Sequence, residues 1–304
     1  MTKTQLLENL ASVERIAATS KLKRMLVNPI KYLSAIIHRE LFYQRSRKDK
    51  QVISRAFFGE EMHLLLPSST DIYLTGGKSH DSEIRLAKYL INNLSSQQTF
   101  VDVGAHYGYF TLLGSTLVGK GGKVCSFEAS PKTYHILNKN TVSTENITTH
   151  NLAVSDSNKE LTFYEFPNLY SEYNTFHVAQ FKDEDWYKTY PPDEVKINCV
   201  TLDEVFKTQS VNPTIIKIDV EGAELQVIKG MEDYLSNYSP TLIMEYLSAK
   251  RGNHGHQEAE NLLSTLGYSA SLIGGNGDLQ PIKSAAQYLQ ANQIDSDNIV
   301  FKKS

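Results

Sequence analysis

Acidic residues stand at or next to the ends of several apolar runs in this sequence, where they could perform chemistry. Asp102, Glu128 and Asp219 each close such a run, Glu221 lies two residues beyond Asp219, and Glu245 lies near the end of another run. Burying a carboxylate is costly unless another group uses it. The pattern predicts a site at strand ends, with Asp219, Glu221 and Glu245 as the catalytic candidates that could take a proton from a hydroxyl.

Other side chains compete for these roles. His80 and His106 are alternative bases, although a lone histidine is more often an ordinary surface or partly buried residue. Glu224 suits the first turn of a helix, where the helix dipole stabilises negative charge, so capping is predicted for it.

A metal site is the weaker interpretation of the same residues. A divalent ion on Asp219, Glu221 and Glu245 is chemically reasonable, because acidic oxygens are its usual ligands. The pair in His254-Gly255-His256 has no nearby carboxylate pattern to complete a site. No metal is therefore predicted.

The segment Phe100–Phe110 combines a buried strand, an acid, a glycine turn and the start of a helix. Gly104 allows a sharp turn and the close approach of the backbone to a ligand, and Gly108 allows the helix to pack close to the strand. The turn matches neither the dinucleotide pattern G-x-G-x-x-G nor the phosphate loop G-x-x-x-x-G-K-[ST]. Asp102 would also repel a diphosphate. The turn suits a nucleoside joined to a positively charged amino acid, as in S-adenosylmethionine.

Glu128 follows Gly104 by about two dozen residues, the place of a ribose-binding acid in a nucleoside site. A carboxylate there can accept both ribose hydroxyls, and NAD enzymes share this feature with S-adenosylmethionine enzymes. Three classes stay open at this point: a methyltransferase, an NAD-dependent oxidoreductase and a cofactor-binding protein without catalysis. The glycine spacing and Asp102 favour the first.

Nearly continuous apolar runs predict parallel strands that are buried on both faces. They are Thr99–Val103, Lys123–Phe127, Thr214–Ile218 and Thr241–Tyr246. Helical patterns such as Ser82–Leu94 and Glu224–Leu235 alternate with them, which indicates βαβ units. The predicted fold is α/β and Rossmann-like, mostly parallel, with an antiparallel last strand at Asn298–Phe301.

The pattern changes on either side of this core. Residues 1–55 are predicted as an N-terminal helical segment, with Leu6, Leu10 and Val13 on one helix face and Leu26, Ile30, Leu33 and Ile37 on another. Residues 56–304 form the predicted catalytic domain, with an insertion at about 157–205. Met62–Leu66 and Asp71–Leu74 are predicted to form a hairpin-like pair.

The insertion carries an aromatic loop. Its rings are Tyr170, Tyr173, Phe176, Phe181, Trp186, Tyr187 and Tyr190. Long loops are often lids or binding elements, so the rings could stack on a glycan or another flat acceptor. Packing of the insertion against the sheet is the equally open alternative.

Composition predicts a soluble, cytoplasmic protein. The 304 residues are 40% hydrophobic and 21% charged, with a net charge of −3, no membrane-length apolar run and no signal-like N-terminus. Cys125 and Cys199 fall inside strand-like runs and are predicted to be free and buried. The charge gives no reason to expect a nucleic-acid partner, but the N-terminal region is locally basic. It could touch an anionic membrane surface or a charged glycan, form an oligomer, or simply be solvated.

Four motifs resemble the FkbM family of methyltransferases. They are Asp102-Val103-Gly104-Ala105-His106-Tyr107-Gly108, Phe127-Glu128-Ala129, Ala153-Val154-Ser155-Asp156 and Lys217-Ile218-Asp219-Val220-Glu221-Gly222-Ala223-Glu224. The resemblance spans Ser79 to Tyr246 and leaves the first 50 or so residues outside it. It implies a class I methyltransferase sheet, S-adenosyl-L-methionine as cofactor, and O-methylation of a hydroxyl on a sugar, glycan or secondary metabolite.

The resemblance also implies roles for single residues. Asp102, Gly104, Ala105 and Gly108 would hold the methionine moiety, Glu128 the ribose and the Ala153–Asp156 turn the adenine, while His106 stands where many relatives carry Asn. The full predicted cofactor-binding set is Asp102, Gly104, Ala105, His106, Gly108, Tyr109, Glu128, Ala129, Ala153, Val154, Ser155 and Asp219.

Overall fold

The computed structural model describes residues 1–251 and 254–303. Its strands are β1 (Lys50–Arg55), β2 (Glu61–Leu66), β3 (Thr99–Val103), β4 (Lys123–Phe127), β5 (Ile147–His150), β6 (Ala153–Val154), β7 (Glu160–Glu165), β8 (Asp193–Val200), β9 (Ile215–Ile218), β10 (Thr241–Leu247), β11 (Tyr268–Ile273), β12 (Leu279–Pro281) and β13 (Ser296–Lys303).

The helices are interspersed with these strands along the chain. They are α1 (Lys3–Ala17), α2 (Lys21–Val27), α3 (Pro29–Ile37), α4 (Gln44–Ser46), α5 (Thr70–Thr75), α6 (Asp81–Asn93), α7 (Tyr109–Val118), α8 (Pro131–Thr141), α9 (Leu202–Gln209), α10 (Glu224–Lys229), α11 (Glu232–Asn237), α12 (His254–Thr265) and α13 (Ala285–Asn292). A π-helical segment (His38–Tyr43) joins α3 to α4, and 3₁₀ turns occur at Asn168–Tyr173, Val178–Phe181 and Ala249–Arg251.

The central sheet has the strand order β12-β11-β13-β10-β9-β3-β4-β5. Strands β5, β4, β3, β9 and β10 are parallel, and β13 runs antiparallel to β10. This confirms the predicted α/β fold. The carboxyl ends of the parallel strands share one edge, which is where ligands bind in open sheets of this kind.

Two hydrophobic cores cover the two faces of the sheet. Alternate residues of β3 point into them, so Phe100 belongs to the core under α1, α6 and α7, while Val101 belongs to the core under α9–α13. Both faces are therefore buried, which explains why the parallel strands are apolar throughout rather than in alternation.

Most predicted elements are confirmed to within a residue or two, and three were wrong. The run Glu224–Leu235 forms two helices because Met231, which lies between them, has φ −134° and ψ 21°, outside the helical range. The predicted hairpin partner Asp71–Leu74 lies in α5, and β2 pairs instead with β1 in antiparallel register. Residues 50–55 of the predicted helical segment are therefore a strand.

The N-terminal helices divide into a buried part and an open part. In α1, Leu6, Leu10 and Val13 are buried in the first core. In α2 and α3 the second predicted stripe, which includes Leu26 and Ile30, is exposed. Among the described residues, no helix is both long enough and apolar enough to cross a membrane.

The insertion forms a small sheet of its own, ordered β6-β8-β7. Strand β8 pairs in parallel with β6 and antiparallel with β7, and the aromatic loop connects β7 to β8. Cys199 of β8 and Cys125 of β4 are both free and buried, as predicted.

Candidate functional site

A cavity of about 310 Å³ opens at the carboxyl ends of β3, β4, β9 and β10. The predicted site residues that line it are Gly104, His106, Glu128, Ala129, Ala153, Val154, Asp219, Glu221 and Glu245. Five other predicted residues do not line it, namely Asp102, Ala105, Gly108, Tyr109 and Ser155. Sequence motifs more than 100 residues apart thus meet in one cavity, although not every member of each motif faces it.

Gly104 is required by the protein backbone itself. Its φ is +79°, and a Cβ at this position would lie 1.7 Å from the carbonyl oxygen of Asp219. The Asp219 N–H also donates to the Val103 carbonyl at 3.0 Å, so the ends of β3 and β9 are joined. The sequence predicted close approach of a ligand at Gly104, but the close neighbour is the next strand.

The prediction that Asp102 faces the ligand needs correction. Its carboxylate is fully buried, accepts a hydrogen bond from the Thr111 hydroxyl at 2.7 Å, and lies 3.4 Å from the Lys217 ammonium. The β3–β9 register places Lys217 directly opposite Asp102. Burial raises the pKa of Asp102, whereas Lys217 and Thr111 lower it. The Asp102 carboxylate therefore faces Lys217 and not the cavity.

The other four residues that do not line the cavity stabilise the turns that follow the strands. Tyr109 is buried against Phe57 and Phe58, and Gly108 begins α7 with a φ of +88°. The Ala105 N–H donates to the Phe127 carbonyl, and the Ser155 N–H donates to the Val200 carbonyl. These residues fix the turns, mainly through the backbone, without lining the cavity.

Glu128 is held by two backbone donors. One carboxylate oxygen accepts the His106 N–H at 2.8 Å and the other accepts the Ser130 N–H at 3.0 Å. Burial raises the pKa of Glu128 to about 7, although both N–H groups lower it. A carboxylate has about four acceptor sites, so both oxygens keep capacity for further donors.

An apolar surface adjoins Glu128 in the same cavity. It consists of Phe127, Ala129, Leu152, Ala153, Val154 and Phe163. An acid that can accept two hydroxyls beside an apolar wall fits a nucleoside, whose ribose is polar and whose base is flat. The residues present therefore fit the nucleoside part of S-adenosylmethionine.

Asp219, Glu221 and Glu245 come together as predicted, with carboxylate oxygens within 4.8 Å of one another. Burial opposes ionisation of Asp219, but Lys217, whose ammonium is 3.1 Å away, holds its pKa below the usual value. Burial, together with the negative charges of Asp219 and Glu221, raises the pKa of Glu245 well above its usual value. Asp219 therefore favours its ionised form and Glu245 its protonated form, and the two carboxyl groups are hydrogen-bonded to each other.

Glu221 is paired differently. Its carboxylate lies 2.8 Å from the Arg251 guanidinium, and its carbonyl accepts hydrogen bonds from the Thr175 hydroxyl and the Gln180 amide. Its φ is +52°, a left-handed conformation that these contacts hold in place. Burial raises the pKa of Glu221 to about 8, although Arg251 lowers it.

Glu224 binds backbone donors, in keeping with the capping role predicted for it. Its oxygens accept the N–H groups of Val220 and Gly222 at 3.2 and 3.0 Å. The His256 ring nitrogen lies 2.9 Å from the same carboxylate, so this histidine of the His254–His256 segment contacts Glu224. The pair stabilises the turn that carries Asp219 and Glu221.

Sequence reasoning missed a charged group at the opposite wall of the cavity. The Lys78 ammonium lies 2.7 Å from Glu172 and 3.0 Å from Glu83. Although burial lowers it, the pKa of Lys78 is raised well above its usual value by these acids. Glu172 is 94 residues from Lys78, so no local pattern could have indicated the pair.

The two alternative bases also line the cavity. His106 Nε2 is 3.1 Å from the Ser171 hydroxyl, and burial lowers the pKa of His106 to about 4, so its ring is neutral at pH 7. His80 is exposed, and its Nδ1 is 2.8 Å from the Ser82 hydroxyl. Neither contacts the Asp219–Glu245 pair.

Only two rings of the aromatic loop, Tyr173 and Phe176, line the cavity. Trp186 stacks on Tyr170 with ring centroids 4.1 Å apart and an interplanar angle of 10°, and packs behind Tyr173. Most of the loop therefore packs on itself, which agrees with the structural alternative for Trp186 and leaves Tyr173 and Phe176 as the rings able to meet an acceptor.

Six carboxyl side chains line the cavity (Glu83, Glu128, Glu172, Asp219, Glu221 and Glu245), together with three cations (Lys78, Lys217 and Arg251). Burial raises the pKa of Glu83 and Glu128 to about 7 and that of Glu221 to about 8, and the pKa of Glu245 lies well above its usual value. Several of these acids are therefore partly protonated at neutral pH. The number of acidic side chains alone does not give the cavity a net negative charge that would select a cationic ligand over a diphosphate.

The fold is an open α/β sheet with a cavity at the carboxyl ends of its parallel strands, and a comparison with known families identifies it. The Methyltransferase FkbM domain family matches residues 102–270. This is more than half of the chain, which therefore belongs to the FkbM methyltransferase family. No curated protein matches the chain.

Several solved structures are similar at low sequence identity. A methyltransferase FkbM from Methylobacillus flagellatus KT is 17% identical with a TM-score of 0.42, and the match covers 77% of this chain and 52% of that chain. This chain thus spans about half the length of that protein. An O-methyltransferase from Bacillus cereus in complex with SAH is 12% identical with a TM-score of 0.40, and the match covers 72% of this chain and 78% of that one.

Proposed function

We propose that this enzyme methylates a hydroxyl oxygen of a sugar, a glycan or a small secondary metabolite. The observation that carries the proposal is the cluster of Asp219, Glu221 and Glu245, whose carboxylate oxygens lie within 4.8 Å of one another in the same cavity as Glu128. A hydroxyl is protonated at neutral pH, and a nearby ionised carboxylate helps its attack by accepting that proton.

S-adenosylmethionine, when bound, supplies a methyl group that its positively charged sulfur has already activated. Glu128 would accept the ribose hydroxyls, and the apolar wall at Leu152 and Val154 would contact the adenine. The ionised carboxylate of Asp219 would attract the positively charged ligand. These residues bind and orient, and positioning alone supplies a large part of the acceleration in such displacements.

Asp219 would receive the proton of the acceptor hydroxyl. Lys217 stabilises its ionised form, and Glu245 is hydrogen-bonded to it. Lys78, Glu172, Tyr173 and Arg251 line the remaining wall and would contact the acceptor. Their mixture of charge and aromatic surface suits a polar, hydroxylated molecule rather than a purely apolar one.

The test uses the full chain with S-adenosylmethionine carrying a ¹³C-labelled methyl group. A panel of hydroxylated sugars, glycans and cell metabolites would be incubated with the enzyme and analysed by mass spectrometry. The expected product carries the label in an alkali-stable ether. Label found only in esters or amines would contradict oxygen methylation of a hydroxyl. Calorimetry should detect binding of S-adenosylhomocysteine and none of NAD.

A further inference from the structure

An exposed apolar surface covers the outer side of α2, α3 and the π-helical segment. Of the twelve large apolar side chains that are exposed among the described residues, eight fall within 22–42, with exposed fractions from 45% to 81%. They are Leu22, Leu26, Val27, Ile30, Leu33, Ile37, Leu41 and Phe42. We call them the N-terminal apolar face. A cluster of this kind on a folded protein marks an interaction site, whereas single exposed apolar residues do not.

The opposite side of the same segment is firmly attached to the domain. Ala35, His38 and Tyr43 are buried, and the Tyr43 hydroxyl accepts a hydrogen bond from the Leu169 N–H at 3.1 Å. The Lys31 ammonium donates to the Tyr73 carbonyl at 3.3 Å. The segment is therefore docked by its inner side, and the apolar face is presented outward from a fixed position.

The charge of this segment differs in sign from the rest of the protein. Residues 21–50 contain nine Lys and Arg and two acids, whereas the other 274 residues contain 22 basic and 32 acidic side chains. Exposed cations that flank the apolar face include Lys21, Lys23, Arg39, Arg45 and Lys48. An apolar helix face bordered by Lys and Arg is the pattern of helices that lie in the interface of an anionic membrane.

We propose that residues 21–48 dock this enzyme on an anionic lipid bilayer, with the N-terminal apolar face inserted among the headgroups. A second copy of the chain fits less well, because a symmetric dimer would place the exposed cations that border the apolar face against the same cations of the other copy. The centre of a protein interface is also depleted in lysine. A negative lipid surface, in contrast, attracts these exposed cations while the apolar side chains leave water. The proposal is independent of the acceptor and of the methyl transfer.

The test is cosedimentation of the full chain with lipid vesicles. Vesicles of equimolar phosphatidylcholine and phosphatidylglycerol should bind the protein at low salt about tenfold or more tightly than phosphatidylcholine alone, because each basic residue near an anionic surface contributes to affinity. High salt should remove most of this difference. Equal binding to both vesicles, or binding to neither, would overturn the proposal.

Two variants separate the apolar and charged contributions. The triple variant Leu26→Ser, Ile30→Ser, Leu33→Ser and the double variant Lys21→Gln, Lys23→Gln should each bind the mixed vesicles about tenfold more weakly or worse. The matched control is Val142→Ser with Tyr238→Ser, which removes exposed apolar side chains elsewhere and should bind as the unaltered chain does. Unchanged affinity for S-adenosylhomocysteine would establish that each variant is folded.

A second copy of the chain on the N-terminal apolar face would give a different result. If the face joined two copies, analytical ultracentrifugation would find a dimer that the triple serine variant converts to a monomer, and the unaltered chain would bind neither type of vesicle. That result would replace the membrane proposal by a dimer interface.

Discussion

The two parts of the cavity that we propose as the cofactor side and the acceptor side are built in different ways. On the proposed cofactor side, Glu128 is fixed by the N–H groups of His106 and Ser130, which lie 22 and two residues away in sequence. On the proposed acceptor side, Lys78 is fixed by Glu172, 94 residues away, and Glu221 by Arg251, 30 residues away. The cofactor side depends on backbone groups of adjacent strand ends, and the acceptor side on ion pairs of distant side chains. Under this proposal, binding of a common cofactor and selection of a particular acceptor can change independently.

Asp219, Glu221 and Glu245 lie where the two sides meet, and substitutions in this cluster should have the largest effect on catalysis. Asp219→Asn removes the ionised carboxylate but keeps its shape, so kcat should fall by ~10²–10⁴, the range for loss of a general base. Affinity for S-adenosylhomocysteine should change little in calorimetry. Asp193→Asn, at an exposed acid of β8, is the control. If cofactor affinity falls and kcat does not, Asp219 belongs to the cofactor side.

A substitution at Gly104 tests whether the contact between the ends of β3 and β9 is rigid. Gly104→Ala places a methyl group against the Asp219 carbonyl and also strains a left-handed backbone, which should lower the free energy of unfolding by about 3–5 kcal/mol. Gly267→Ala is the matched control, because Gly267 has a φ of +86° and nothing within 4 Å of the added Cβ. That variant should lose only about 1–2 kcal/mol in urea unfolding. Equal losses in the two variants would mean that the strand ends can separate.

Matched changes on the two sides should separate binding from selection. Glu128→Gln should weaken S-adenosylhomocysteine about 10–100-fold, because hydrogen bonds to a charged group are lost. Glu172→Gln should leave that affinity unchanged and raise the acceptor KM. Calorimetry measures the first quantity, and initial rates with the acceptor found in the labelling experiment measure the second. An equal effect of both variants on cofactor binding would mean that the two sides are coupled.

Cofactor affinity should also depend on pH. Protons and ribose hydroxyls compete for the oxygens of Glu128, whose pKa is raised by burial to about 7. Affinity for S-adenosylhomocysteine should therefore increase as the pH rises through about 7, by at most ~tenfold per pH unit below it. The dependence should be much weaker in Glu128→Gln. An unchanged slope in that variant would assign the titration to another group.

The same contrast explains what the sequence could predict. The strands, the glycine turn and Glu128 follow local patterns, and the structure keeps them within a few residues of their predicted positions. The partner of Asp102 does not follow a local pattern. Lys217 lies next to Asp102 only because of the register in which β3 pairs with β9. Local spacing indicated an anion near the cavity but gave no sign that a buried cation already neutralises it.

The insertion shows the same limit for aromatic residues. Seven rings in one loop predicted a binding element, but composition cannot tell which rings face a cavity and which face one another. Tyr173 faces the cavity because it belongs to the 3₁₀ turn Asn168–Tyr173, which lines the cavity. Trp186 stacks on Tyr173 from the side away from the cavity.

The smallest expected effect concerns these two rings. Tyr173→Ala removes a ring from the cavity wall and should raise the acceptor KM about 2–10-fold, with S-adenosylhomocysteine affinity unchanged. Trp186→Ala should mainly lower the free energy of unfolding, because Trp186 packs on Tyr170 and Tyr173 outside the cavity. If Trp186→Ala raised the acceptor KM more than Tyr173→Ala at similar stability, the loop would have to rearrange on binding. The acceptor side would then take its final shape only when the acceptor binds, whereas the strand ends fix the shape of the cofactor side before any ligand binds.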